Sequence, residues 1–227
     1  MKNPTRSALI VIDMEAGFLD PASAHCIRHA AATVPACVRA VETARARGIP
    51  VFFVKRVYRA DGSDVENTRY ESWIAGGRSM MPGAASAQAP AGLRPRPGDY
   101  TILKPRWSAF FQTPLDLLLR RLGVRTVILA GTTTPNCVRT TAYDANALDY
   151  NVAVLTDCTS SQTEEIQRVN LEDMARMGAV LLDSAALADY QGLPDLAAAI
   201  GAHIEEIGDA PEDFEAAVDA TLRVDRW

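Results

Sequence analysis

The sequence predicts an α/β protein, a three-layer α/β/α sandwich built around a doubly wound, mainly parallel six-stranded sheet. Short apolar runs alternate with segments of helical spacing, which is the chain order of repeated βαβ units. The runs are apolar on both faces, as strands are when helices cover both sides of a sheet. Right-handed crossovers then give a doubly wound order. The expected strands are 8–13, 51–54, 100–103, 125–130, 152–155 and 179–182.

Between these strands, apolar residues recur at helical spacing, and glycine or proline marks the helix ends. Gly48 and Pro50 stop the first helix, and Gly123 and Gly178 stop two later ones. The expected helices are 34–47, 114–122, 137–150 and 163–177. The segment 58–98 is rich in Gly, Pro, Ala and Arg and is weakly periodic. We expect it to be a functional loop, a lid or binding loop that could hide a short helix.

The chain is expected to contain one domain, residues 1–190, followed by an acidic helical C-terminal extension, residues 191–227. Within the extension, 193–207 and 211–224 have the pattern of amphipathic helices and carry many acidic residues. Acidic helical faces are ordinarily solvated. The alternative is that the extension is an oligomerisation arm.

Composition and charge exclude several classes of function. A net charge of −5 has the wrong sign for a nucleic-acid-binding surface. The three histidines form no metal-binding pattern and the four cysteines include no CxxC pair, which indicates a reducing cytoplasm without a metal site or disulfide framework. The apolar run before Asp13 is too short for a signal peptide or a membrane span. We therefore expect a cytoplasmic protein with no cofactor, no nucleic-acid partner and no membrane partner.

Three chemically capable residues stand at strand ends. Asp13 ends the first strand, Lys104 ends the third, and Cys137 opens the helix after the fourth. Ligands of open parallel sheets bind at the carboxyl ends of the strands, where the strand order reverses. We expect Asp13 and Cys137 to meet there, with Lys104 reaching inward from an outer strand.

Each of these residue types has a use in acyl chemistry. A thiolate at a helix N-terminus is a nucleophile, a carboxylate carries its proton, and an ammonium lowers the thiol pKa. The alternatives are ordinary: Cys137 as a small buried hydrophobe, Asp13 as a polar strand end, Lys104 as a solvated cation. Spacing alone leaves these alternatives open.

Three segments resemble the isochorismatase-like cysteine hydrolases. Ala8–Phe18 (ALIVIDMEAGF) is similar to the VIDMQNDF opening of that family, and Leu103–Leu115 (LKPRWSAFFQTPL) is similar to its lysine segment. Gly131–Val138 (GTTTPNCV) is similar to its G-x-x-T-x-x-C-V turn. The match covers residues 7 to about 185, so the first domain is identified as an isochorismatase-like cysteine hydrolase domain.

The resemblance implies a catalytic triad of Asp13, Lys104 and Cys137 and the strand order 3-2-1-4-5-6. It also implies a non-proline cis peptide between Thr132 and Thr133. This bond would aim the Thr133 N–H toward the same point as the Cys137 N–H, so that the two groups form an oxyanion hole.

Departures from the family pattern narrow the substrate. Nicotinamidases carry an Asp-x-His metal site after the second strand. This chain has Arg56–Tyr58 (RVY) and Asp61–Asp64 (DGSD) there and no histidine between 30 and 202, so we expect no metal. Isochorismatases that cleave a vinyl ether lack the nucleophilic cysteine, so Cys137 favours hydrolysis of a C–N bond.

Two segments are closest to members that cleave ureido or carbamoyl groups. The lysine segment is similar to that of ureidoacrylate amidohydrolases, and Arg47–Arg59 (RGIPVFFVKRVYR) is similar to N-carbamoylsarcosine amidase. One departure lies beside the predicted aspartate, where Glu15–Gly17 (EAG) replaces the Gln-Asn-Asp of the opening motif.

Aromatic residues and one arginine near these motifs are candidates for the pocket wall. An aromatic box suits a small planar amide or ureido group, and the alternative for each ring is ordinary core or lid packing. Arg56 has two expected partners, a carboxylate of the substrate and an acidic residue of the 61–66 loop. The candidate substrate-binding residues are Phe18, Arg56, Tyr58, Trp73, Trp107 and Phe110.

We therefore expect a metal-independent amidohydrolase that attacks a small amide or ureido substrate with Cys137 and forms a thioester. A nicotinamidase-like simple amidase and a catalytically idle binding or assembly member of the family are the rival hypotheses. By analogy with the superfamily, we expect a homo-oligomer, a dimer or tetramer. Either the segment 58–98 or a neighbouring subunit is expected to close the pocket.

Overall fold

The structure is a computed structural model in which residues 3–196 and residue 200 are described. The described residues up to Leu193 form one compact unit. The helices expected at 193–207 and 211–224 lie outside the described residues, apart from 193–196 and 200, so the C-terminal extension stays a prediction. No helix in the described part of the chain is long and apolar enough to cross a membrane.

The described residues form a six-stranded parallel sheet in the order β3-β2-β1-β4-β5-β6, which confirms the predicted fold and strand order. All residues of the two central strands, β1 and β4, are buried, because helices cover both faces of the sheet. The strands are β1 (Ser7–Ile12), β2 (Val51–Arg56), β3 (Tyr100–Lys104), β4 (Thr126–Thr132), β5 (Asn151–Ser160) and β6 (Val180–Leu182).

The helices agree with the expected ones to within a few residues at most ends. Helix α2 begins four residues before its expected start, and it contains Pro35. The segment 58–98 hides a short helix, α3, and two 3₁₀ turns, Ala85–Ala87 and Ala91–Leu93. The helices are α1 (Ala16–Leu19), α2 (Ala30–Ala46), α3 (Tyr70–Ala75), α4 (Leu115–Arg121), α5 (Arg139–Ala147) and α6 (Glu164–Arg176).

Two apolar clusters lie on opposite faces of the sheet. Alternate residues of a strand point to opposite faces, so Leu9 and Val11 pack with α2, whereas Ile10 and Ile12 pack with α4 and α5. Both central strands therefore contribute to both clusters, and their carboxyl ends are held rigidly at one edge of the sheet.

Gly131 lies where β4 passes β1 at this edge. Its φ of +109° is in the region that favours glycine, and a Cβ added there would lie 2.0 Å from the Ile12 carbonyl oxygen. The residue after it, Thr132, leads into the turn that carries Cys137. Glycine is therefore needed for two reasons, the backbone conformation and the close approach of β1.

We expect Gly131→Ala to lower the free energy of unfolding by more than about 3 kcal/mol, because the Cβ would force β1 and β4 apart. Gly178→Ala is the matched control, since Gly178 has a φ of +107° but no heavy atom within 4 Å of an added Cβ. We expect that change to cost about 1 kcal/mol, the backbone penalty alone. Urea denaturation measures both. Equal losses would show that the contact with Ile12 contributes nothing.

Candidate active site

Asp13, Lys104 and Cys137 meet at the carboxyl ends of the strands. Lys104 Nζ lies 2.7 Å from Asp13 Oδ2, and both side chains are fully buried. The same Nζ lies 3.5 Å from Cys137 Sγ and donates a hydrogen bond to the Arg106 carbonyl at 3.1 Å. Lys104 therefore reaches inward from the edge strand and links the carboxylate to the thiol.

The local backbone aims each of these side chains at the same point. Asp13 follows β1 directly, has a φ of +52°, and donates its N–H to the Val54 carbonyl at 2.8 Å. An αL conformation is uncommon for a residue other than glycine, although aspartate tolerates it better than most. Lys104 ends β3 in register with Arg56, the last residue of β2. The strand ends thus deliver Asp13, Arg56 and Lys104 to one place.

Cys137 lies in a π-helical turn, Thr134–Val138, that precedes α5. The helix was expected to begin at Cys137, and the helical turn begins three residues earlier, at Thr134. Thr133 caps this turn, because its carbonyl accepts hydrogen bonds from the N–H groups of Asn136 and Val138. The cysteine is consequently held inside the first turn, with 4% of its surface exposed.

The turn before the cysteine is tied to β5. The peptide bond between Thr132 and Thr133 is cis, as the family resemblance implied. The hydroxyls of Thr133 and Thr134 both donate to the Ser160 carbonyl, at 3.1 and 3.0 Å, and the Ser160 hydroxyl donates to Thr132 Oγ1 at 3.0 Å. These bonds fix the backbone that carries the predicted oxyanion-hole groups, the N–H of Thr133 and of Cys137.

Opposing charges act on the Cys137 thiol. Burial raises its pKa, the Lys104 ammonium lowers it, the Asp13 carboxylate raises it, and the Arg56 guanidinium lowers it. The net result is a pKa above the ordinary value of a cysteine. A thiol in that state needs a base to take its proton before it can attack, and Asp13 is the carboxylate beside it.

Arg56 also contacts the thiol. Its Nη2 lies 3.5 Å from Cys137 Sγ, and its Nη1 donates to Glu66 Oε1 at 2.5 Å and to the Tyr58 hydroxyl at 3.1 Å. The Tyr58 hydroxyl in turn donates to Glu66 Oε2 at 2.7 Å. Arg56 thus forms the ion pair with the 61–66 loop that was one of its two expected partners. Binding of a substrate carboxylate by Arg56 stays a prediction.

Glu15 is a further buried carboxyl group beside Asp13. Only 1% of its surface is exposed, and its Oε2 has no hydrogen-bond partner within the described residues. Burial and the nearby Asp13 charge raise its pKa well above the ordinary value, against the lowering effect of Lys55 and Lys104. The glutamate that replaces the family's Gln therefore brings a second acid close to the triad.

A narrow cleft with a volume of about 10 Å³ lies beside Arg56. Four of the six predicted wall residues line it, namely Phe18, Arg56, Tyr58 and Trp73. The three aromatic residues are also buried members of the apolar cluster that packs with α2, so core packing, their alternative, is observed as well. The Tyr58 and Trp73 rings meet edge to face with centroids 6.0 Å apart. The cleft is also lined by His25, Arg69 and Met80.

The two other predicted wall residues lie elsewhere. Trp107 is 42% exposed, and the Arg69 guanidinium lies 6.0 Å from its ring centroid. Phe110 stacks on Tyr150 at 5.9 Å and packs against the apolar cluster of α4 and α5. Phe110 thus makes the core contact that was its alternative, and neither residue lines the cleft.

Sequence reasoning missed Glu66, His25 and Arg69 as members of the site. Glu66 was visible only as one of several acidic residues in the 61–66 loop, and no periodicity distinguishes it. His25 and Arg69 stand in irregular segments far apart in the chain, so no spacing rule links them to Cys137. Among the described residues, no group of three or more His, Cys, Asp or Glu side chains is placed to hold a metal ion.

Comparisons with known proteins show which family the chain is similar to. The model of the isochorismatase domain family matches residues 7–186. A curated Arabidopsis thaliana protein, named a probable inactive nicotinamidase, is 41% identical over 76% of this chain and 89% of its own length. A ureidoacrylate amidohydrolase of Methylobacterium radiotolerans is 30% identical over 87% of this chain and 84% of its own length.

One solved structure, an isochorismatase family protein from Desulfovibrio vulgaris, is 43% identical to this chain. The match covers 82% of this chain and 98% of that one, with a TM-score of 0.78. The predicted family resemblance is thereby confirmed.

We expect Asp13→Asn to increase the rate at which iodoacetamide labels Cys137 at pH 7 by about tenfold. The change removes the negative charge that raises the thiol pKa, so more thiolate is present at a given pH below that pKa. The rate is followed by mass spectrometry of the Cys137 peptide. Asp99→Asn is the matched control. Asp99 forms an ion pair with Arg45 at 2.6 Å and precedes the first residue of β3, whereas Lys104 is the last residue of that strand. Slower or unchanged labelling of the Asp13 variant would contradict the charge assignment.

Proposed function

The chain belongs to the isochorismatase family of hydrolases, and we propose that it is a cysteine-dependent amidohydrolase that cleaves a C–N bond of a small ureido, carbamoyl or amide substrate. The observation that carries the proposal is the buried cluster in which Lys104 Nζ lies 2.7 Å from Asp13 and 3.5 Å from the Cys137 sulfur. A nucleophile, a proton carrier and a cation are thereby within reach of one substrate carbonyl.

In the first half of the reaction, Asp13 accepts the thiol proton as Cys137 Sγ forms a bond to the substrate carbonyl carbon. The carbonyl oxygen becomes an oxyanion, and the N–H groups of Thr133 and Cys137 are assigned to stabilise it. The protonated Asp13 then gives its proton to the leaving nitrogen. The C–N bond breaks, ammonia or an amine departs, and an acyl or carbamoyl thioester remains on Cys137.

In the second half, a water molecule gives a proton to Asp13 and its oxygen attacks the thioester carbon. The C–S bond breaks as the tetrahedral intermediate collapses, and the Asp13 proton returns to the cysteine sulfur. The product is a carboxylic acid or a carbamate, and the enzyme regains its starting protonation. Lys104 stabilises the negative charge at each stage, whether it is on the Asp13 carboxylate or on the Cys137 sulfur.

The lining of the cleft supports a ureido or carbamoyl substrate. The aromatic rings of Tyr58 and Trp73 suit a planar group, and the Arg69 cation favours a substrate that also carries negative charge. The similarity to a ureidoacrylate amidohydrolase points in the same direction. Ureido acids, which combine a planar ureido group with a carboxylate, are therefore the first substrates to test.

A nicotinamidase-like amidase is the second candidate, and a catalytically idle protein is the third. The similarity to a protein named a probable inactive nicotinamidase supports both of these candidates. Zinc bound to the purified protein, and lost with chelator together with amide hydrolysis, would favour the second. A folded protein that hydrolyses no member of a ureido and amide panel would favour the third.

The proposal includes the molecular setting inferred from the sequence. Residues 1–190 act as the hydrolase domain and residues 191–227 as a C-terminal extension. The protein acts in the cytoplasm as a homo-oligomer, a dimer or tetramer, without a metal or other cofactor.

We expect Cys137→Ala to lower kcat on the best substrate of that panel by at least about 10⁴-fold, because no other group can form the thioester. Cys26→Ala is the control, since Cys26 is half-buried and lines neither the triad nor the cleft. That variant is expected to keep its kcat within about twofold. Steady-state ammonia release measures both. Substantial activity in the Cys137 variant would end the nucleophile assignment.

A further inference from the structure

We propose that Arg56 is a fourth catalytic residue, a second cation that stabilises the Cys137 thiolate, and that Glu66 and Tyr58 position it. The proposal rests on the proposed role of Cys137 as the nucleophile. It assigns a function to a buried arginine that lies outside the triad and touches the reacting sulfur.

The two ends of the guanidinium have different partners. Nη2 lies 3.5 Å from Cys137 Sγ, whereas Nη1 is held by Glu66 Oε1 at 2.5 Å and by the Tyr58 hydroxyl at 3.1 Å. The Arg56 side chain is fully buried. Because the guanidinium is planar and rigid, anchoring Nη1 also fixes the direction of Nη2.

The charge balance shows what a second cation adds. As the thiol proton moves to Asp13, Lys104 is left facing the thiolate, while the Glu66 carboxylate beside Arg56 keeps its negative charge. Without Arg56, Lys104, the thiolate and Glu66 would have a net charge of about −1, and with Arg56 the net charge is about 0.

The protonation states of the trio are consistent with this role. Burial by itself would lower the pKa of Arg56, but the charges of Cys137, Asp13, Tyr58 and Glu66 raise it overall, so the guanidinium stays charged. Burial would raise the pKa of Glu66, but Arg56 and the Tyr58 hydroxyl lower it overall. Burial raises the pKa of Tyr58 to about 12, so its hydroxyl keeps its proton and donates to Glu66.

A purely structural arginine would join β2 to the 61–66 loop without affecting the sulfur. The two roles differ in one measurable quantity, the pH dependence of Cys137 reactivity. An uncharged alkylating reagent measures this without any substrate, so the result does not depend on which C–N bond the enzyme cleaves.

We expect Arg56→Gln to slow iodoacetamide labelling of Cys137 at pH 7 by about tenfold and to move its pH profile upward, because the thiolate loses a cation. Arg56→Lys keeps the charge but loses the planar fork that Glu66 holds, so its labelling rate is expected to lie between those of the original protein and of Arg56→Gln. Arg45→Gln is the matched control. Arg45 also forms a close ion pair, at 2.6 Å with Asp99, but this pair lies at the end of the sheet opposite to Cys137. We expect its profile to be unchanged. An unchanged profile for Arg56→Gln, in protein with a native thermal transition, would overturn the proposal.

Two changes at Glu66 test the positioning role. Glu66→Gln keeps an oxygen that can accept from Nη1 while it removes a negative charge, so labelling should be at least as fast as in the original protein. Glu66→Ala removes the anchor, and labelling should be several-fold slower than in the Gln variant because Nη2 is no longer held against the sulfur. Labelling of the Ala variant as fast as that of the Gln variant would refute the positioning role.

The labelling result separates this inference from the proposed function. If the protein cleaves none of the panel substrates but Arg56→Gln still shifts the profile, the second cation stands and the amidohydrolase proposal falls. If hydrolysis depends on Cys137 but the profile does not depend on Arg56, the amidohydrolase stands and the second cation falls. Should Arg56→Gln fail to fold, the two Glu66 variants decide the question.

Discussion

The buried ion pair between Asp13 and Lys104 is the interaction on which the rest of the site depends. Neither charge is tolerable alone in a fully buried position, and their 2.7 Å contact makes both possible. The pair also forces a particular geometry, because the lysine must extend from the edge strand across the end of β2. The sheet order and the left-handed backbone of Asp13 bring these two groups together, and the close approach of β1 to β4 places the turn of Cys137 beside them.

The Asp13–Lys104 pair has no net charge in the resting protein, so other charges are needed to lower the pKa of the Cys137 thiol. The Cys137 thiol is buried and faces a carboxylate, and both conditions raise its pKa. Cations must therefore come from more than one direction, and the site has them on two strands that are paired in register, Arg56 on β2 and Lys104 on β3. Glu66 then holds the arginine in place, which makes a carboxylate of the irregular segment 58–98 part of the electrostatic environment of the thiol.

Much of the fold and the triad could be predicted because both depend on local signals. Apolar runs of strand length gave five of the six strands to within about two residues, whereas β5 continues to Ser160, beyond its expected end at 155. Strand-end positions singled out Asp13 and Lys104. The motif around Cys137 identified the family. The wall residues were harder to predict, since a sequence does not show whether an aromatic side chain lines a cleft while it packs in the core, as Trp73 does, or only packs against the core, as Phe110 does.

The sequence by itself determined the alternation of strands and helices, the family, and the three residue types that meet at the strand ends. It could do so because hydrophobic periodicity and short motifs are properties of contiguous residues. Only the tertiary structure decided which partner Arg56 takes, that Glu66 belongs to the site, and that Glu15 is a buried acid beside Asp13. Those outcomes depend on burial and on distances between segments far apart in the chain. Such distances set the electrostatics of the thiol, and no local pattern encodes them.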